Sequence, residues 1–172
     1  MRLVNITTAG VLSGNTSQIY SIKNPLIYLY NTISPNDWYT DSEIYQNDAL
    51  WGDKGEKSTY DPCPNNWRVT SNGTWNDFLN ENMPSYMQGE QTSTGAYHAT
   101  NGRLYKNQVW VPMAGRRQSN TTLLSYVGNY GYCWSSLASD ISALHLSQSN
   151  GSIAPNKISA RVQGFSIRCV QE

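Results

Sequence analysis

The chain has 172 residues, with 12 basic against 12 acidic and a formal net charge of zero. That length fits one domain with a real core, and the balance excludes the basic excess on which nucleic-acid binding or attachment to an anionic membrane depends. Only 14% of residues are charged, while 6 Trp and 12 Tyr join abundant Asn, Ser, Thr and Gln, a composition that suits an exported protein.

Residues 1–24 read as entry strands punctuated by turns at Thr8-Ala9-Gly10 and Ser13-Gly14-Asn15. Met1 to Gly10 holds no apolar run of signal-peptide length, and no stretch approaches the roughly 20 apolar residues of a membrane helix. The expectation is a fragment, the C-terminal part of a larger exported protein. Leu26-Ile27-Tyr28-Leu29-Tyr30 reads as a strand, with Pro25 shutting out a preceding helix. From Ser34 to Lys57 the composition turns to loop, with Pro35, Asn36, Asp37, Gly52, Asp53 and Gly55. Trp38, Tyr39, Leu50 and Trp51 interrupt it, and such aromatics pin a long loop to the body.

Asp61 to Val69 is rigid and turn-rich, then briefly extended. Thr70-Ser71-Asn72-Gly73-Thr74 leads into Trp75-Asn76-Asp77-Phe78-Leu79. Trp75, Phe78 and Leu79 fall at i, i+3 and i+4, which predicts a short helix capped near Thr74 and ended by Met83-Pro84. Residues 85–102 read as a polar surface loop. Arg103-Leu104-Tyr105 and Gln108-Val109-Trp110-Val111 flank Lys106-Asn107 as a hairpin, with Pro112 at a bend or edge. Tyr130 to Ser136 and Ala143 to Leu146 carry strand signals, and Ser149-Asn150-Gly151-Ser152 is a turn. Gly164 to Val170 alternates, predicting one terminal strand with Phe165, Ile167 and Cys169 on one face. One short helix among many strands and long irregular loops makes a β-dominated α+β domain over residues 1–172.

Cys63, Cys133 and Cys169 cannot all pair within the chain, and no zinc spacing or Cys-x-x-Cys occurs. Two readings stand. Either all three are buried thiols, or Cys63 and Cys169 form a bridge that ties the middle of the chain to its last strand and leaves Cys133 over.

Three blocks occur in order: Asp61-Pro62-Cys63-Pro64 with Trp67-Arg68-Val69, then Gly131-Tyr132-Cys133-Trp134-Ser135-Ser136, then Gly164-Phe165-Ser166-Ile167-Arg168-Cys169-Val170. Together, over roughly residues 20–172, they resemble the Fibrobacter-type major paralogous domain of bacterial surface proteins. That family is similar to the C-type lectin fold of variable proteins diversified by retroelements and of the formylglycine-generating group. The resemblance implies a C-type lectin-like body with a long irregular region bearing a binding face, in surface lipoproteins or pilus-tip subunits. A phage tail receptor-binding domain uses the same fold. The chain is accordingly expected to be an extracellular, non-catalytic module for a protein or glycan ligand on another cell surface, perched beside other subunits of a surface assembly. No cofactor, metal, nucleic acid or inserted membrane segment is expected.

Departures from the family's usual pattern point to the face. Cys133 stands where Tyr is usual, Leu144 and His145 replace Tyr and Asn, Ser147 replaces Tyr, and Ser152 and Ala154 replace Asn. Ile158, Ser159 and Ala160 interrupt an Asn run, while Gly131, Trp134, Ser135, Leu146, Pro155, Arg161, Gly164 and Phe165 keep their types. Most replacements are reached from Asn or Tyr codons by changing adenines alone, the mark of retroelement mutagenesis. Lys157 does not fit that rule, and ordinary divergence is the other explanation. Trp134, Phe165 and Ile167 read as core, where one methylene is felt, whereas the altered positions fall in turn-rich or edge segments that tolerate change. Surfaces rich in Tyr, Ser, Asn and Gly make adaptable contacts in antibody loops. The ligand face is assigned to Cys133, Leu137, Leu144, His145, Ser147, Ser152, Ala154, Asn156, Lys157, Ile158, Ser159, Ala160 and Gln163.

Other chemistry is thin. His98 reads as an exposed loop residue and His145 as a contact residue; a nucleophilic Cys133–His145 pair is not expected, because the family has other types at both positions. Trp75-Asn76-Asp77 resembles the Trp-Asn-Asp run of calcium-dependent lectins but opens the predicted helix and lacks their partner loop. Asp37, Asp41, Glu43 and Asp48 are the nearest thing to an acidic loop, and calcium wants several oxygens. Scattered carboxylates define no glycosidase pair, and phosphate loops and Ser-His-Asp signatures are absent. A carbohydrate-active or formylglycine-generating-like enzyme is the alternative. Arg116-Arg117 reads as a solvated turn or as arginines packed under the binding face.

Overall fold

Residues 1–52, 55–71, 73–92, 94–121 and 123–172 are described in the computed structural model of the chain; Asp53 and Asn72, read above as loop and turn residues, lie outside them. Strand β1 (Arg2–Asn5) pairs in parallel with β2 (Ile27–Tyr30). A parallel pair needs a long crossover, and here it contains helix α1 (Gln18–Lys23), where the sequence predicted only strands and turns. Ile19 and Ile22 stay exposed, so the helix shows no apolar stripe to read. Six residues make no stable helix alone; packing from outside forms this one. Tyr20 lies against a core of Val4, Ile6, Val11 and Leu29. Ser17 Oγ donates to the Trp38 carbonyl at 2.7 Å, and Asn24 Nδ2 donates to the Tyr20 carbonyl at 2.9 Å. Pro25 therefore ends a helix rather than preventing one.

The loop after β2 is pinned by its aromatics as expected. Trp38 packs on the same N-terminal core, Tyr39 is buried, and Thr40 Oγ1 donates to the Asn15 carbonyl at 2.8 Å. Its one helical feature among the described residues is a 3-10 turn at Glu43–Tyr45.

Strand β3 (Trp67–Val69) follows a locked turn. Asp61 accepts from the Cys63 and Val69 amides at 2.8 and 2.9 Å, and Lys57 Nζ donates to the carbonyls of Cys63, Pro64 and Trp67. The helix predicted at 75–79 is instead a run of turns. The bonds there are Asn76 N to Gly73 O at 3.1 Å and Phe78 N to Trp75 O at 2.9 Å, spans of three residues. Asn and Asp side chains compete for the backbone and favour turns over helix: Asn82 Nδ2 donates to the Asp77 carbonyl at 2.9 Å. Trp75 and Phe78 still reach the core, but Leu79 is exposed.

The stretch read as a loop from 85 to 102 holds β4 (Ser85–Met87) and β5 (Glu90–Gln91), which join β6 (Gly102–Tyr105) and β7 (Val109–Pro112) in the order β5-β4-β6-β7. The β6–β7 hairpin turns at Lys106 and Asn107, both at positive φ, as predicted. Strands β8 (Arg116–Arg117) and β9 (Leu124–Ser125) pair antiparallel.

The central sheet comprises β10 (Tyr130–Ser139), β11 (Ser142–Ser149), β12 (Ile153–Ala160) and β13 (Ser166–Ile167), ordered β12-β11-β10-β13. The 149–152 turn closes β11 onto β12, with Ser149 N donating to the Ser152 carbonyl at 2.8 Å. The predicted single strand over 164–170 is broken. Its first part, β13, runs parallel to β10; its second, β14 (Cys169–Gln171), pairs antiparallel with β3. Ile167 is consequently 39% exposed rather than core. Cys63 and Cys169 are bridged across a Cα–Cα distance of 5.7 Å, and Cys133 is a free buried thiol. One face of the sheet covers the main core of Trp75, Phe78, Met83, Val111, Cys133 and Leu146. Burying each such large side chain contributes about 1.5–3 kcal/mol. The fold is thus β-dominated, in several small sheets.

Candidate functional site

Alternation along β10 and β11 sorts their side chains onto two faces. Tyr130, Tyr132 and Trp134 pair across to Ser149, Ser147 and His145, while Cys133 pairs with Leu146 on the core side. The face away from the core carries a row of rings. Tyr126 meets Tyr130 edge-on at 5.4 Å, Tyr130 stacks on Tyr132 at 5.9 Å, and Tyr132 stacks on Phe165 at 4.7 Å. Phe165 then packs on Trp134 at 4.4 Å and on His145 at 4.7 Å. Such ring pairs add about 0.5–1.5 kcal/mol each beyond the area they bury, so the row is a stiff platform.

Arg116 lies over the rings of Tyr126 and Tyr132, at 5.2 and 5.7 Å, which places it against the face and not in a solvated turn. Burial above all raises the Tyr132 hydroxyl's pKa, against the pull of Arg116, so the phenol stays neutral. Tyr126 is 38% exposed and holds a φ of 63°. That backbone region is a genuine outlier for a bulky residue and clusters at binding sites.

The residues assigned to the face from sequence divide. Ser147, Ala154, Lys157 and Ser159 share the side of the aromatic row, as the pairs Ser147↔Ala154, His145↔Lys157 and Ala143↔Ser159 require. Leu144 pairs with Ile158 on the opposite side, beside Ala160, and Asn156 donates there to Asn76 Oδ1 at 3.3 Å. Leu137 sits in the bulge between Trp134 and Ala138, Ser152 in the exposed β11–β12 turn, and Gln163 past the end of β12. Two assignments are corrected outright: Cys133 and His145 are buried, at 7% and 3% exposure. Reading 144–160 as turns and edges missed that β11 and β12 are regular strands, whose period of two sends neighbours to opposite faces. Tyr126, Tyr130 and Tyr132 belong to the face and were missed, whereas Arg116 packs against it, in line with the reading of arginines under the binding face. A signal was present in the spacing of Tyr130, Tyr132 and Trp134, which is that of one strand face.

His145 and Cys133 consequently point to opposite sides of one sheet, which rules out their acting as a nucleophilic pair. The Cys133 thiol is pushed up to about 12 by burial, and it packs among apolar side chains. His145 Nδ1 lies 3.1 Å from the Leu146 carbonyl and Nε2 lies 2.9 Å from Ser159 Oγ. A carbonyl only accepts, so Nδ1 carries the proton and Nε2 accepts from the hydroxyl. Burial first, then Arg116 and Lys157, hold this imidazole below its ordinary 6.5, against the opposing effect of the Leu146 carbonyl. The unfolded chain then binds the proton more readily than the folded one, and stability falls as pH drops below that ordinary value toward the depressed one. His145→Gln is expected to flatten this part of the stability–pH profile, as urea midpoints measured at descending pH would show.

Asp37 and Asp48 are engaged by an arginine. Both flank Arg161, whose guanidinium lies 3.9 Å from Asp37 and 2.6 Å from Asp48. No group of three or more His, Cys, Asp or Glu residues suited to a metal occurs among the described residues. His98 is an exposed loop residue, as read. No described helix is long and apolar enough to cross a membrane. No family model, curated protein or solved structure matches the chain, so its function has to be read from the aromatic face and from the motifs of its own sequence.

Proposed function

We propose that this chain is a surface-displayed ligand-binding module, non-catalytic and C-type lectin-like, that uses the aromatic face of the β12-β11-β10-β13 sheet. One observation carries the reading: a continuous row of rings from Tyr126 to Phe165, topped by Arg116 and bordered by Ser147, Ala154 and Lys157. Tyr and Arg are the residues that anchor recognition surfaces, and Tyr with Ser and Asn supplies large contact area at small entropic cost. The ligand is a protein or glycan on another cell surface. The Cys63–Cys169 bridge supports an oxidising, extracellular setting. Adenine-directed diversification is part of the proposal for Ser147, Ala154 and Ser159, which border the rings, whereas Leu144, Ile158 and Ala160 look to the other side of the sheet; a template repeat near the gene that differs only at adenines would be its signature.

The test is a glycan array and a panel of purified surface proteins from neighbouring cells. A ligand found this way should lose about tenfold or more in affinity with Tyr130→Ala or Lys157→Ala while the melting temperature holds. Binding that survives both changes, together with Arg116→Ala, would place recognition elsewhere. Turnover of a substrate abolished by one Asp or Glu change would replace the reading with an enzymatic one.

A further inference from the structure

Beyond the end of the aromatic row, where the β10–β11 hairpin presents only the methyls of Ala138 and Ala143, a cavity of about 340 Å³ opens. The N-terminal module closes it from one side with Tyr28 and Trp38, the 47–51 loop from another with Trp51, and the sheet with Trp134 and Phe165. A cavity of about 150 Å³ accepts a benzene ring, and small-molecule sites begin near 300 Å³, so this space suits a fused ring pair or one substituted ring.

The charged groups around it already have protein partners. Arg161 donates to the Ser142 carbonyl, to Asp48 and to the Asp140 carbonyl at 3.2, 2.6 and 2.8 Å. Asp37 accepts from the Tyr39 amide and from Gln46 Nε2 at 2.9 and 2.7 Å. No described charged side chain lining the cavity is left to meet an ionic ligand. Two neutral groups are. Ser136, 6% exposed, and Gln163 both line the cavity, and Ser136 Oγ and Gln163 Oε1 are buried without a hydrogen-bond partner. An orphaned buried polar atom is destabilising, and a ligand with a matching group removes that penalty. Gln163 Oε1 only accepts, so the ligand must donate.

We infer that this cavity binds a small, neutral aromatic molecule bearing an N–H or O–H donor, its ring held between the indoles of Trp38, Trp51 and Trp134 and its donor directed to Gln163. This site is separate from the surface-recognition reading, although Trp134 and Phe165 serve both.

The probes are indole, p-cresol and 1-methylindole, the last keeping the ring and losing the donor. Calorimetric titration of the intact chain is expected to show indole and p-cresol binding below about 1 mM, with 1-methylindole about tenfold weaker. Gln163→Leu should abolish the difference between indole and its methyl derivative. Trp51→Ala, at the rim, and Ala143→Trp, which fills the space, should each weaken indole about tenfold or more, with folding checked by melting temperature. Tyr130→Ala and Lys157→Ala, which test the outer face, should leave indole binding unchanged. No heat with either donor probe overturns the inference. So does equal affinity for 1-methylindole, tighter binding of tryptamine or indole-3-acetate than of indole, or binding indifferent to both Trp51→Ala and Ala143→Trp.

Discussion

Arg103→Leu should lower the free energy of unfolding by about 2–6 kcal/mol, read from urea denaturation, because each buried carbonyl left without a donor costs about 1–3 kcal/mol. Arg103 is 2% exposed and has no carboxylate partner among the described residues. Its guanidinium donates instead to three main-chain carbonyls, of Ser149 at 2.7 Å, Met83 at 2.5 Å and Asn150 at 2.8 Å. Burial lowers its pKa to about 10, still far above neutrality, so the fork stays charged and donating. Met83 precedes β4, while Ser149 ends β11 and Asn150 opens the turn after it, so one side chain on β6 ties the two main sheets together. Leucine fills much of the volume but takes the arginine donors from the carbonyls of Ser149 and Met83, while the Asn150 carbonyl keeps the Ser85 hydroxyl at 2.7 Å. Arg103→Lys keeps the charge and loses the planar fork, and should fall between wild type and leucine. A leucine variant as stable as wild type would mean that the carbonyls find other donors and that the fork is dispensable.

Removal of the Cys63–Cys169 bridge ranks second. The bridge spans 106 residues, and closing a loop of that order restricts the unfolded chain by about 4–5 kcal/mol, with native bridges measured at about 2–5 kcal/mol. The double variant Cys63→Ala/Cys169→Ala should lose stability within that range, a fall in melting temperature of about 5–20 °C for a chain this long. β14 meets β3 through three residue pairs only, from Cys169↔Val69 to Gln171↔Trp67, so its attachment leans on the covalent link. A reductant should reproduce the loss in wild type and change nothing in the double variant. Wild type indifferent to reductant during unfolding would show that the bridge carries no stability.

Both effects concern the frame that holds the aromatic face. The Ser136 amide donates to the Thr70 carbonyl at 2.8 Å, and Thr70 Oγ1 donates to the Trp134 carbonyl at 3.2 Å. β3 is thereby joined to β10 just where Trp134 ends the row. Weakening the bridge should loosen the cavity side of the face before the Tyr126–Tyr130 end.

What was legible in the sequence follows physical lines. The Lys106-Asn107 hairpin and the 149–152 turn were readable because turn chemistry is local: the conformation is decided by the residues that adopt it. Strand β10 was readable from its aromatic residues, and the Cys63–Cys169 bridge was one of the two readings of the cysteines. The helix expected at 75–79 failed because a correct apolar spacing of Trp75 and Phe78 is equally served by successive turns, which Asn76, Asp77 and Asn82 favour. Helix α1 was invisible because its middle residues, Ile19 to Ile22, are weak helix formers and its apolar Ile19 and Ile22 face outward.

The sequence by itself determined the class: one β-rich chain with short strands, neutral in charge, with Trp134 in its interior and a Tyr- and Ser-rich sheet near its end. Only the tertiary structure decided which of those side chains share a face. Pairing register in a sheet is settled by partners distant in the chain, and one residue of shift exchanges inside for outside. That is why Lys157 and Ser159 border the rings while Ile158, between them, looks the other way, and why His145 packs among the rings while its neighbour Leu146 enters the main core on the other side.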